Sequence, residues 1–176
     1  MTRQMLGVEW ETTVLYPAGH RSSAIRVQPT LKLPAGWQQA SALPPARGQR
    51  PAEAAADGQV AFGEVSLETL IDSPLFAGRH LKRIELDPPG TPQPVVLNVV
   101  SDEPEQAEAT PEQLAAHRAL VTQAERLFGS RPWRRYDFLL ALSDDFGGIG
   151  LEHHESSENG LRPDYFKNWS DAIGGR

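Results

Sequence analysis

Proline and glycine recur so closely through the first hundred residues that only short elements fit between them. The 176-residue chain carries 15 of each, and a proline removes a backbone donor while a glycine weakens any helix interior. Residues 8–16, 24–33, 60–65, 80–86 and 95–100 have strand length, are rich in β-branched or aromatic side chains, and are bounded by turn chemistry. They predict a β-rich, sandwich-like layer. Residues 43–58 hold few large apolar side chains and read as an exposed loop with a hairpin tip at Asp57-Gly58. Residues 67–72 predict a helical turn before Ser73-Pro74.

The texture changes at residue 101. The acidic run SDEPEQAEA lacks large apolar residues and reads as an interdomain connection, dividing the chain into 1–101 and 102–176. Immediately after it, Thr110-Pro111-Glu112-Gln113 combines an N-cap hydroxyl, a proline at the first helical position and a glutamine placed to close a capping box. Leu114, His117, Val121, Ala124 and Phe128 then recur at the spacing that buries one helix face, and Gly129 suits a left-handed cap. Residues 136–142 are an apolar run of strand length, 143–148 a turn, and 149–157 a second strand. Residues 163–173 predict a short helix closed by Gly174 and Gly175. The fold class is therefore α+β.

A formal charge of −6 and a pI near 5.4 argue against a nucleic-acid or anionic-membrane surface, which needs a clustered basic face. The chain has no cysteine, hence neither disulfides nor thiolate chemistry, and a reducing compartment is compatible. No apolar run has the length of a signal peptide core at the start or of a bilayer span anywhere.

The densest chemistry lies in FGGIGLEHHESSENG, residues 146–160. A zinc hydrolase needs about three converging ligands, and the compact helical solution, H-E-x-x-H, is absent. His20, His80 and His117 stand alone. On a continuous strand His153 and His154 would point to opposite faces, with Glu152 and His154 sharing one face as half of a metal site that lacks a third ligand. No G-x-S-x-G elbow presents a nucleophile. The glycines at 147, 148 and 150 precede a strand rather than a helix, and a tight turn explains them at least as well as a phosphate cradle.

Residues 136–159 resemble the segment leading into the catalytic helix of the glycyl aminopeptidase-like zinc metallopeptidases, a family whose members often carry a PDZ domain. The similarity extends through residues 110–129, through Leu70-Ile-Asp-Ser-Pro-Leu-Phe-Ala-Gly78 and, more loosely, to Leu15-Tyr-Pro-Ala-Gly19. In that family residues 165–175 would be followed within a few positions by the H-E-x-x-H helix. The resemblance thus implies a fragment: 1–101 as part of a β-rich N-terminal domain and 102–176 as the beginning of a thermolysin-like catalytic domain.

The wider aminopeptidase N group carries a G-x-M-E-N strand that lines the substrate cleft and holds the free amino terminus. Gly150-Leu151-Glu152-His153 looks like this family's version. By that resemblance Gly148, Ile149, Gly150, Leu151, Glu152, His153 and His154 are candidate substrate-binding residues, with no catalytic residue and no metal ligand within the chain. Zinc is expected in the full-length parent and no cofactor in the fragment, which by itself would be inactive. The expected partners are a peptide with a free N-terminus and the remainder of the parent's own catalytic domain, with no nucleic acid and no membrane; the expected location is cytoplasmic, a periplasmic parent remaining open. The alternative is a stand-alone β-rich protein- or ligand-binding module without catalysis.

Overall fold

A computed structural model describes residues 2–48 and 57–170. In chain order the elements are β1 (Met5–Val8), β2 (Arg26–Val27), β3 (Thr30–Lys32), β4 (Gln38–Ser41), β5 (Gln59–Ala61), β6 (Val65–Ser66), α1 (Leu67–Ile71), β7 (Leu75–Gly78), β8 (His80–Glu85), β9 (Val95–Ser101), α2 (Pro111–Phe128), β10 (Tyr136–Leu142), β11 (Ile149–Glu152) and β12 (Ser156–Leu161). Short 3-10 turns cover Trp10–Thr12, Ser22–Ala24 and Pro104–Ala107. Among the described residues no helix is long and apolar enough to cross a membrane.

The small sheets all lie in residues 5–78. A three-stranded sheet has the order β1-β7-β4, with β7 antiparallel to both neighbours, and β2-β6 and β3-β5 form two-stranded pairs. Their shared core includes Trp10, Leu33, Trp37, Phe62, Leu67 and Leu75. Residues 80–161 supply a five-stranded mixed sheet of order β11-β12-β10-β9-β8, in which β9, β10 and β12 run parallel and the outer strands antiparallel to them.

Alternation along β9 and β10 divides the buried side chains between two layers, as a period of two requires. Val100, Leu139 and Ala141 face the three-stranded sheet and meet Met5, Ala40 and Phe76. Leu97, Val99, Leu140 and Leu142 face the other way, toward Ala107 and Val121. The five-stranded sheet is thus sandwiched between the three-stranded sheet and α2. The predicted β-rich α+β character is present, as several small sheets, a larger one and one main helix.

Several strands differ from their sequence expectation. After Val8 the chain leaves β1 for a 3-10 turn rather than running extended to residue 16, and Trp10 Nε1 donates to the Ser73 carbonyl at 3.0 Å. The stretch 24–33 divides around Pro29, and 60–65 around Gly63. Leu43 is 2% exposed and Pro45 bridges Phe62, so this start of the expected loop is core-packed; residues 49–56 lie outside the described residues. The Asp57-Gly58 tip is present, with Gly58 at φ +83° and Asp57 Oδ1 accepting from Gln59 N. Ser101, in the expected interdomain connection, is the last residue of β9 inside the five-stranded sheet. Part of the helix expected at 163–173 lies outside the described residues.

Candidate functional site

The stretch read from sequence as one strand over 149–157 is a hairpin. β11 ends at Glu152, His153–Glu155 turn, and β12 returns antiparallel with Ile149 opposite Gly160 and Glu152 opposite Ser157. Tertiary bonds impose the break. Asp72, which closes α1, accepts from His154 N through Oδ2 at 3.0 Å, and its Oδ1 lies 3.3 Å from His153 Nδ1. His153 Nε2 lies 2.9 Å from Glu158 Oε1. Arg134 grips both carboxylate oxygens of Glu155, and its backbone N–H donates to the same group. Because the strand stops at Glu152, the alternation that would place Glu152 and His154 on one face does not reach His154.

β11 is the last strand of its sheet, and no strand among the described residues pairs with its outer edge. Gly148, Gly150, Leu151 and Glu152 are exposed and Ile149 is half-buried. A Cβ placed on Gly150 would meet no protein atom within 4 Å, so packing does not demand glycine there. Gly160 differs: a Cβ on it would collide with the Gly147 carbonyl, which crosses β12 in a turn where Gly147 has φ +73°.

The candidate residues do not act alike. Glu152 presents an exposed carboxylate beside Tyr136, whose phenol is pushed up by burial and further by the Glu152 and Asp72 charges, against a hydrogen bond with Ser157. Tyr136 and Ser157 thus join Glu152, and sequence reading missed both; their only signal was a tyrosine opening a strand whose partner was not yet known. His153 is buried to 12% side-chain exposure with both ring nitrogens engaged by carboxylates. Burial pushes the Glu158 carboxyl up, opposed by His153 and reinforced by Glu9 and Glu11. His153, His154 and Glu155 line an open cleft of about 940 Å³ that also includes Arg26, Glu64, Asp72 and Arg134. Among the described residues no three His, Asp or Glu side chains converge closely enough to hold a metal.

The profile of the Peptidase M61 N-terminal domain matches residues 1–79. Those residues are similar to the M61 N-terminal domain. The match ends between β7 and β8, so the matched region contains all the small sheets and stops where the five-stranded sheet begins. Among solved structures, an aminopeptidase N family protein from Idiomarina loihiensis shares the fold, with a TM-score of 0.72 and 20% identity over 93% of this chain. That match takes in 26% of the relative, so the chain spans about a quarter of its length. A search of curated proteins found no match.

Proposed function

We propose that this chain is part of a zinc-dependent aminopeptidase, in which the M61 N-terminal domain is followed by the opening helix and strands of a thermolysin-like catalytic domain. It contributes the substrate-binding strand and no metal ligand. The observation that carries the reading is the outer edge of β11, which no strand among the described residues covers, with the exposed Glu152 carboxylate at its end. An extended peptide can pair its backbone with such an edge, and a carboxylate can form a charge-assisted bond to its terminal ammonium group. The open space at Gly150 lets the peptide backbone approach, and Tyr136 and Ser157 flank the carboxylate. Since the described residues do not converge on a metal, zinc and the steps that need it belong to residues of a longer polypeptide in this reading.

The test uses a polypeptide extended by the downstream sequence of its own gene. It should release N-terminal residues from peptides in a chelator-sensitive manner. Glu152→Ala should lower kcat/KM about ten- to hundredfold, the loss of a hydrogen bond to a charged group, with zinc content unchanged. Full activity in Glu152→Ala would contradict the assignment, and an extended polypeptide with no peptidase activity would favour the binding-module alternative.

A further inference from the structure

We infer that Asp72 of the M61 N-terminal domain is a positioning residue for the substrate strand, acting through His153; this rests on the reading of β11 as that strand. Asp72 spends both carboxylate oxygens on the two residues that follow Glu152, receiving the His154 backbone N–H and facing His153 Nδ1. The imidazole passes the constraint on to β12, because its other nitrogen meets the buried Glu158. The result is a strut running from the end of α1, through the β11–β12 turn, to the strand paired with β11. Arg134, in the segment leading into β10, and Glu155 hold the far side of the same turn.

The strut spans an 81-residue sequence separation and joins two structural units. The five-stranded sheet has an internal reason to hold β12, which is flanked by strands on both sides. It holds β11 from one side only, so the lateral position of the edge and its terminal carboxylate depends on what fixes the turn. In this arrangement the M61 domain sets where Glu152 sits, and His153 serves as a brace with no ring nitrogen left for a ligand. Asp72 touches neither substrate nor reacting atoms.

The test compares Asp72→Ala and Asp72→Asn with the parent sequence. In this chain, Asp72→Ala should speed amide exchange of the β11–β12 cross-strand bonds by about tenfold, consistent with a local opening, and move the His153 ring ¹⁵N resonances. Asp72→Asn, which keeps an oxygen that can accept from His154 N, should restore most of the protection. Bonds between β9 and β10 serve as the control and should not change. In the extended polypeptide, Asp72→Ala should lower kcat/KM for free-amine peptides by about five- to tenfold, with rescue by Asp72→Asn. Unchanged β11–β12 exchange and His153 resonances in Asp72→Ala would overturn the strut, whatever Glu152 does. A loosened hairpin combined with full activity in Glu152→Ala would uphold the strut and reject the substrate-anchor reading instead.

Discussion

Asp87 shows what a paired carboxylate does for this fold. It accepts two bonds from Arg131, at 2.7 and 2.9 Å, and one from Val95 N, while Arg131 also reaches Glu125 on α2. The pair ties the end of α2 to the β8–β9 connection, and the Arg131 hydrogen bonds hold the Asp87 carboxyl below its ordinary range against the opposing effect of burial. A carboxyl lowered in the folded state stabilises above its unfolded value and loses that contribution as pH falls through the folded value. Asp87→Asn should therefore cost about 2 kcal/mol at neutral pH, and the gap between the two melting temperatures should close as pH falls below 3.8. A gap independent of pH would show that charge is not what the pair contributes. Gly160→Ala makes a steric prediction instead. Its Cβ would collide with backbone, which cannot rotate away, so the substitution should cost about 2 kcal/mol or more in denaturant unfolding, whereas Gly150→Ala should be close to neutral.

At the scale of elements, legibility followed locality. The helix α2 was readable because its signals are adjacent: the Thr110 hydroxyl accepts from Gln113 N, the Gln113 side chain accepts from Thr110 N, and Gly129 has φ +69°. Thr110→Ala should lower stability by about 1 kcal/mol in chemical denaturation, with Thr110→Ser recovering most of it. The strands β9 and β10 were likewise legible from their apolar runs, and β8 from its length and bounding turns. By contrast, β4 reads Gln38-Gln-Ala-Ser and carries no strand pattern, yet its last three residues are buried against β7 and the sheet below. β7 pairs with β1 some 70 residues away, and nothing local announces that pairing. The break after Glu152 was invisible for the same reason, since the groups that bend the chain are Asp72 and Arg134. The candidate site was legible as a stretch; its division into an exposed carboxylate, a braced histidine and an exposed histidine needed the tertiary contacts.

At the scale of the whole molecule, two units share a layered core: residues 1–79, which resemble the M61 N-terminal domain, and a five-stranded sheet with its helix beyond them. Their packing faces meet through Met5, Phe76, Val100 and Leu139, and polar links cross at Asp72–His153 and from Arg135 to the Ser41 carbonyl. Among the described residues no strand pairs with the outer edge of β11, and its end is braced from the N-terminal unit, an arrangement that fits the proposed role in substrate binding. In the proposed function Glu152 recognises a terminal ammonium group. It is tested most directly by comparing kcat/KM for one peptide with a free amine and the same peptide N-acetylated, in the extended polypeptide and its Glu152→Ala variant. The substitution should remove about ten- to hundredfold of activity on the free amine and much less on the acetylated peptide, because only the former has a charge to lose. Equal losses on both peptides would contradict it and leave β11 as a structural strand.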